Sequence, residues 1–197
     1  MKKFFGALAV TLLLSLIYVG ISLTLAPDVN AAKRCFVTKM NSISLCKGNQ
    51  NYVALNDISK YLVDAILISE DVSFYHHNGF DWYELKQSVV TDLERGKFAR
   101  GGSTITQQLA KNLFLSGEKS ITRKITEAYL TYKLEHTFSK NQILEKYFNI
   151  IELGPNIYGI KQASEHYFHK SPSQLTFLEG AYLAQLLPNP ITYSKSF

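Results

Sequence analysis

Residues 101–114 of the chain read Gly-Gly-Ser-Thr-Ile-Thr-Gln-Gln-Leu-Ala-Lys-Asn-Leu-Phe. Thr104 is followed three residues later by Gln107, the pattern of a capping box, in which two side chains satisfy free backbone N–H groups at the start of a helix. The apolar residues that follow recur at helical spacing on one face: Ile105, Leu109 and Leu113. This stretch therefore predicts a helix with one buried side.

The same pattern marks further helix starts along the chain. These pairs are Asp81 with Glu84, Ser139 with Gln142, and Thr176 with Glu179. The helix after Asp81 carries an apolar stripe formed by Leu85, Val89 and Leu93, and an earlier helix with Leu62 and Ile66 on one face ends at Glu70. Glycine and proline break the chain within 96–102, 116–118, 154–159 and 188–190, and only residues 30–53 suggest a hairpin. The fold class predicted is mainly α.

The composition limits the kinds of function that we consider. The 197 residues are 46% apolar, which suits one globular domain and excludes a disordered or low-complexity chain. The net charge is +5, and the 21 lysine and arginine residues are spread along the chain among 16 acidic residues. The chain therefore has no basic arm, and we expect no nucleic-acid partner. A mildly basic face suits anionic phospholipid or a phosphorylated substrate better.

The N-terminus has the pattern of a membrane anchor. Lys2 and Lys3 precede an uncharged run over residues 4–26, which as a helix would extend roughly 34 Å. That length crosses a hydrocarbon core of about 30 Å, and the lysines place the remainder of the chain on the outer side of the cytoplasmic membrane. The alternative is a cleaved signal peptide with small residues at 29–31, but the run exceeds the usual apolar length of about 7 to 15 residues.

We therefore divide the chain into a tip and transmembrane anchor at 1–30, a linker with a small hairpin at 31–51, and a catalytic domain at 52–197. Cys35 and Cys46 lie just beyond the anchor, where an oxidising compartment favours a disulfide over two free thiols.

The first candidate for chemistry is the pair Glu70 and Asp71. A carboxylate at the C-terminal, negative end of a helix is locally unfavourable. Burial and a negative neighbour would raise its proton affinity and make it a useful general base or acid. The alternative is that both acids are solvated at a helix end.

Two cationic segments follow. The glycine-preceded helix start at Thr104 offers backbone amides, with Gln107 and Lys111 on the face opposite the apolar one, to an anion such as a diphosphate. Arg123 and Lys124 share a helical face with Glu127, as an ordinary surface ion pair or as an anion clamp in which Glu127 orients the cations or binds a divalent ion. The alternative for the helix start at Thr104 is a capped surface helix.

Together these segments resemble the peptidoglycan glycosyltransferases, glycosyltransferase family 51. The resemblance covers residues 52–194 and rests on four motifs in order. They are Glu70-Asp71-x-x-Phe74-x-x-His77-x-Gly79; Gly101-Gly-Ser-Thr-Ile-Thr-Gln-Gln108-x-x-Lys111-Asn112; Arg123-Lys124-x-x-Glu127; and Lys140-x-x-Ile143-Leu144-Glu145-x-Tyr147-x-Asn149. The tail Leu187-Pro-Asn-Pro190 and the loop that begins at Glu152 resemble the monofunctional biosynthetic branch.

The resemblance implies a lysozyme-like, mainly α fold that polymerises lipid II into glycan strands and releases undecaprenyl diphosphate. Glu70 would be the general base. The residues implied at the diphosphate, directly or through Mg²⁺ or Mn²⁺, are Lys111, Arg123, Lys124 and Glu127, the last a candidate metal ligand; Gln107, Gln108, Thr104 and Asn112 would assist binding. The partners implied are lipid II, the growing strand, the cytoplasmic membrane and other cell-wall synthesis and division proteins.

The remaining motif residues are implied as supports. Asp71, Phe74, His77 and Gly79 would support Glu70, with His77 as a structural hydrogen-bond partner rather than a proton carrier. Tyr147 and Asn149 would brace the floor of the cleft; the alternative for both is packing in the core.

Two departures from the family pattern stand out. The family often has Arg at the position of Lys119 and a basic residue at that of Thr126, which predicts a weaker phosphate cluster. The sequence ends at Phe197, so we expect the usual C-terminal helix with a fifth motif, and a transpeptidase domain, to be missing.

Two alternative functions stay open: a lysozyme-like hydrolase or lytic transglycosylase, and a degenerate, non-catalytic component of the cell-wall complex. The cations at 123–124 and the anchor favour synthesis, because hydrolysis needs no diphosphate site.

Overall fold

A computed structural model describes Leu13 and residues 16–96 and 102–196, and the described chain is mainly helical. The helices are α1 (Lys60–Glu70), α2 (Trp82–Arg95), α3 (Ile105–Phe114), α4 (Ile121–Thr137), α5 (Lys140–Phe148), α6 (Ile160–Phe168), α7 (Phe177–Leu186) and α8 (Pro190–Tyr193). Two antiparallel hairpins complete it, β1 (Phe36–Val37) with β2 (Ser44–Leu45), and β3 (Glu152–Gly154) with β4 (Ile157–Tyr158).

The predicted helix starts are confirmed by their hydrogen bonds. At the start of α3, Thr104 Oγ1 accepts from Gln107 N at 3.2 Å, and Gln107 Oε1 accepts from Thr104 N at 3.0 Å. Capping boxes of the same kind begin α5 at Ser139 and α7 at Thr176. These starts are local properties of the sequence, because each cap pairs groups three residues apart.

Helix α3 lies at the centre of the core. Its apolar face is fully buried, as the spacing of Ile105, Leu109 and Leu113 predicts. It packs against α4 and α5, while α1 packs against α7. In the second pair the helices approach closely at Gly180, where a Cβ atom would lie only 2.9 Å from Leu62 Cα.

The apolar stripe of α2 does not face the core. Leu85, Val89 and Leu93 are 40%, 52% and 77% exposed, respectively, whereas Ser88 is buried. Gly102 approaches this helix closely, since a Cβ atom there would lie 3.2 Å from Ser88 Cβ and 3.7 Å from Leu85 Cα. Helix α2 thus presents its apolar stripe outward.

The segment that we predicted as a linker, 31–51, packs against the core. Leu45 is buried, as are Val29 and Ala32 just before the hairpin. Cys35 and Cys46 are disulfide-bonded and close the β1–β2 hairpin. The hairpin loop covers the C-terminal end of α3, because the backbone N–H groups of residues 39 and 40 donate to the carbonyls of Leu113 and Asn112.

The predicted membrane span over residues 4–26 lies partly outside the described residues. Its described part is helical from 16 to 24 and carries exposed apolar side chains, among them Leu16, Ile17 and Leu25. No helix in the described parts of the chain combines the length and the apolar character that crossing a bilayer requires.

We expect Gly180→Ala to destabilise the fold by about 1–3 kcal/mol, because the added methyl group would collide with the backbone of α1. This loss outweighs the gain in helix propensity of about 1 kcal/mol. Gly117→Ala is the control, since nothing lies within 4 Å of the Cβ position there. Urea unfolding measures both variants, and equal midpoints for Gly180→Ala and the parent chain would contradict the close approach.

Candidate active site

A groove of about 530 Å³ lies where the end of α1 meets the starts of α2 and α3. Its lining combines charged, polar and apolar side chains: Ile68, Ser69, Glu70, Asp71, Val72, Asp81, Glu84, Gly102, Ser103, Thr104, Gln108, Lys111, Leu187 and Pro188. The groove thus brings the predicted base together with the lysine of the second motif.

Glu70 is half-buried at the C-terminal end of α1. Gln108 donates a hydrogen bond from Nε2 to Glu70 Oε2 at 2.8 Å. Burial is the largest influence on the Glu70 carboxyl and raises its pKa, and the charge of Asp71 raises it further. The hydrogen bond from Gln108 and the charge of Lys111 act in the opposite direction. The carboxyl is therefore a stronger proton acceptor than an exposed glutamate.

Gln108 in turn accepts a hydrogen bond from a core residue. The hydroxyl of Tyr147 on α5, a fully buried residue, donates to Gln108 Oε1 at 3.1 Å. Tyr147 and Gln108 thus connect the core to Glu70 through two consecutive hydrogen bonds.

Asp71 joins α1 to α3 and orients the segment after Glu70. Its Oδ2 accepts from the backbone N–H of Ile105 at 2.9 Å, and its Oδ1 lies 2.8 Å from His77 Nε2. The backbone N–H of Gly79 donates to His77 Nδ1 at 3.1 Å, so the His77 proton is on Nε2 and points at Asp71. His77 therefore acts as a structural hydrogen-bond partner in this geometry.

Gly79 and Phe74 shape the same segment. Gly79 has a positive φ of 91°, and a Cβ there would lie 2.8 Å from Thr131 Cγ2. Its carbonyl accepts from Thr104 Oγ1 at 2.7 Å, which ties the segment to the α3 capping box. Phe74 is fully buried, and its ring meets that of His77 edge to face. Gly79 and Phe74 do not line the groove, and they hold the segment after Glu70 through Thr104 and His77.

The cations are arranged around a buried carboxylate. Glu127 accepts from Arg123 Nη1 at 2.9 Å and from Lys124 Nζ, and its side chain is only 3% exposed. Lys124 Nζ lies 3.3 Å from Ser103 Oγ, a groove residue, while Arg123 and Lys124 themselves lie outside the groove lining. Lys111 is the cation that lines the groove directly, and its pKa is lowered, chiefly by burial.

The Glu127 carboxylate, predicted as a candidate metal ligand, accepts one hydrogen bond on each oxygen, from Arg123 and from Lys124. Within residues 16–96 and 102–196, no group of three or more His, Cys, Asp or Glu side chains is placed to hold a metal ion.

Several predicted binding residues have other partners. Gln107 is buried and its Oε1 is taken by the capping box, so it does not reach the groove. Asn112 lies outside the groove lining, and its backbone carbonyl accepts from the N–H of residue 40 in the hairpin loop. Thr104 lines the groove, but its hydroxyl donates to the carbonyl of Gly79. Of these three residues, Thr104 alone is among the groove residues.

Asn149 is also placed away from the groove. Its side-chain amide accepts from Val53 N and donates to Val53 O, both at 2.8 Å. Glu145, one helical turn earlier, accepts from Leu55 N and from the Tyr52 hydroxyl. The fourth motif therefore fastens residues 52–55 onto α5.

Two positions that depart from the family pattern lie outside the groove lining as well. Lys119 is exposed just before α4, and Thr126 Oγ1 donates to the carbonyl of Thr122 one turn back on α4.

Some groove residues had no predicted role at the site. Asp81 and Glu84 were recognised only as a helix start, and Ser103 lies within the second motif without an assigned function. Glu135, which accepts from Thr106 Oγ1 at 2.6 Å and Lys140 Nζ at 2.8 Å, carries no sequence signal at all. Glu135 lies on α4 and its two partners on α3 and α5, and only the tertiary structure brings these helices together.

Comparison with known proteins identifies a family and several similar proteins. The profile of the family described as "Transglycosylase" matches residues 38–196. Curated proteins named biosynthetic peptidoglycan transglycosylase are similar to this chain. The one from Alcanivorax borkumensis is 49% identical over 144 residues, 73% of this chain and 59% of the relative. Those from Acinetobacter baylyi and a Janthinobacterium species are 42% and 46% identical, over 75% and 72% of this chain and 66% and 62% of their own lengths. The chain thus spans about three fifths of the length of these relatives.

We expect Asp71→Asn to lower the free energy of unfolding by about 1–3 kcal/mol. The two oxygens of Asp71 accept from two donors, Ile105 N and His77 Nε2, whereas an amide has one acceptor oxygen and would leave one donor without a partner. Chemical denaturation at neutral pH measures this loss. The exposed Asp57→Asn is the matched control and should leave stability nearly unchanged. An Asp71→Asn variant as stable as the control would show that the link between α1 and α3 is not needed.

Proposed function

Because the chain belongs to the transglycosylase family, we propose that it is a peptidoglycan glycosyltransferase that polymerises lipid II into glycan strands. The observation that carries this proposal is the placement of Glu70 and Lys111 in one groove, with the Glu70 carboxylate held by Gln108. A proton acceptor beside a cation is the combination that transfer from a diphosphate-linked sugar requires.

In the proposed reaction, the GlcNAc 4-hydroxyl of one lipid II attacks the MurNAc anomeric carbon of the growing chain. The new O4–C1 bond forms as the bond from C1 to the diphosphate oxygen breaks, with inversion. Glu70 takes the hydroxyl proton, and the diphosphate leaves with the bonding electron pair. The raised pKa of Glu70 suits this role, because an ionised carboxylate of greater proton affinity accepts the hydroxyl proton more readily.

The leaving group needs charge neutralisation rather than a general acid. Lys111 lines the groove, and Lys124 adjoins it through Ser103. Arg123 lies one residue before Lys124 on the same helix and adds its charge to this region. Glu127 holds Arg123 and Lys124 on one helical face and so orients the positive charge.

A divalent cation, Mg²⁺ or Mn²⁺, enters this proposal only as a counterion of the substrate diphosphate. Its chemistry would be to neutralise phosphate charge as the lipid leaves. Glu127 would hold it from the protein side, since each carboxylate oxygen has a second lone pair beside the hydrogen bond it accepts from Arg123 or Lys124.

We further propose a lysozyme-like arrangement of the catalytic domain and a single-pass anchor in the cytoplasmic membrane, with the domain on the outer face. The exposed apolar side chains of residues 16–25 support an anchor, since such a surface is unfavourable in water. A tethered enzyme would meet lipid II in the plane of the same membrane. Other cell-wall synthesis and division proteins are the partners that we propose on the same reasoning.

We expect Glu70→Gln to abolish strand growth, because the amide cannot accept the proton, while the fold is kept. The measurement is incubation of labelled lipid II with the full chain in detergent, followed by analysis of product length. Glu165→Gln, an exposed position on α6, is the control and should polymerise at the parent rate. Strand growth by Glu70→Gln would overturn the assignment of the base. Release of fragments from preformed peptidoglycan without growth would favour a hydrolase.

We expect the rate of polymerisation to fall on the acid side with a midpoint above the usual glutamate pKa of about 4.3, since activity requires ionised Glu70 and burial raises its pKa. Lys111→Met removes a charge that lowers this pKa and should move the midpoint to still higher pH. Lys133→Met, an exposed lysine on α4, should leave the midpoint in place. Initial rates between about pH 4 and 9 test this; an unmoved midpoint in Lys111→Met contradicts it.

A further inference from the structure

A hydrogen-bonded chain with one direction runs from the core to the base. The Tyr147 hydroxyl donates to Gln108 Oε1 at 3.1 Å, and Gln108 Nε2 donates to Glu70 Oε2 at 2.8 Å. The three residues belong to α5, α3 and α1, so the hydrogen bonds link three helices.

The direction follows from the chemistry of the groups. An amide carbonyl can only accept a hydrogen bond, so the Tyr147 hydroxyl must be the donor. The phenol keeps its proton because burial, together with the charges of Glu70 and Asp71, holds the pKa of Tyr147 well above its usual value. Tyr147 is therefore a permanent donor aimed at one side of the Gln108 amide.

The two ends of a glutamine amide have nearly the same shape but opposite hydrogen-bonding roles. With the carbonyl engaged by Tyr147, the N–H side must face Glu70. We propose that Tyr147 is a positioning residue, whose buried hydroxyl holds the Gln108 amide in the one orientation that points a donor at the ionised Glu70 carboxylate. This inference rests on the proposed role of Glu70 as the base.

Removal of the hydroxyl would release the amide. Gln108 could then turn its carbonyl toward Glu70, an arrangement that fits only the protonated carboxyl, because two acceptor oxygens repel each other. The neutral form of Glu70 would become more favourable as a result. In this way a residue with no contact to substrate would set the pH at which the base ionises.

The other charges near Glu70 stay in place when the hydroxyl is removed. Asp71 follows it in the chain, Lys111 faces it from α3, and Asp81 and Glu84 line the same groove at the start of α2. Tyr147→Phe keeps the ring, and with it the packing of α5 against its neighbours. The variant therefore tests the hydroxyl alone.

The experiment follows the ionisation of Glu70 directly in the full chain in detergent micelles, by NMR titration of ¹³C-labelled glutamate carboxyl groups. Glu70→Gln identifies the signal by its disappearance. We expect Tyr147→Phe to move the Glu70 midpoint to higher pH by about one unit, the size expected for the loss of one hydrogen bond to a carboxylate. The acid side of the polymerisation profile should move by the same amount.

Tyr167→Phe is the matched control. Its hydroxyl is buried and donates to the carbonyl of Leu153 at 2.8 Å, outside this chain of hydrogen bonds. It should leave the Glu70 midpoint unchanged even if the fold loses stability. Thermal unfolding of both variants checks that they are compared in the folded state.

A double variant tests the route. If Tyr147 acts through Gln108, Tyr147→Phe/Gln108→Leu should titrate like Gln108→Leu alone. Additive shifts, or an unmoved Glu70 midpoint in folded Tyr147→Phe, would overturn the inference while leaving the proposed function intact. If Tyr147→Phe shifts the Glu70 midpoint but the parent protein makes no glycan, the inference about the amide orientation is supported and the proposed function is rejected.

Discussion

The structure depends on the joint that Asp71 makes between two helices. Helix α1 ends at Glu70, and the next residue accepts a hydrogen bond from the first backbone N–H of α3, at Ile105. That N–H is one of the groups that a helix cannot satisfy by itself. A buried carboxylate placed there stabilises the start of α3 and fixes the end of α1 with the same contact. Because Glu70, Gln108 and Lys111 project from these two helices, the joint determines the geometry of the groove.

Charge is distributed unevenly around this joint. Carboxylates of Glu70, Asp71, Asp81 and Glu84 line the groove near the ends of α1 and α2, and Lys111 lies farther along α3. Arg123 and Lys124 are kept close to each other by the nearly buried carboxylate of Glu127. Without this acid two neighbouring cations would repel each other on one helical face. The arrangement separates a region of carboxylates from a region of cations.

Helix α2 shows where periodicity stops being informative. The spacing of Leu85, Val89 and Leu93 correctly indicates an apolar face, but these side chains are exposed. Periodicity shows which residues share a face of a helix, and not what that face meets. What the face meets depends on contacts with segments outside the helix, such as the close approach of Gly102 to Ser88. The hairpin at 36–45 is a similar case, because its packing over the end of α3 depends on backbone contacts between distant segments.

The sequence by itself determined the helical class, the starts of α3, α5 and α7, and the motifs that resemble a glycosyltransferase family, because capping and periodicity act over a few residues. Only the tertiary structure separated the roles of two adjacent and identical side chains. Gln107 closes the capping box of its own helix, whereas Gln108, about 100° further around α3, meets Glu70 and Tyr147 from other helices. A sequence pattern cannot assign these roles, since each follows from the groups that packing brings within hydrogen-bonding distance of the side chain.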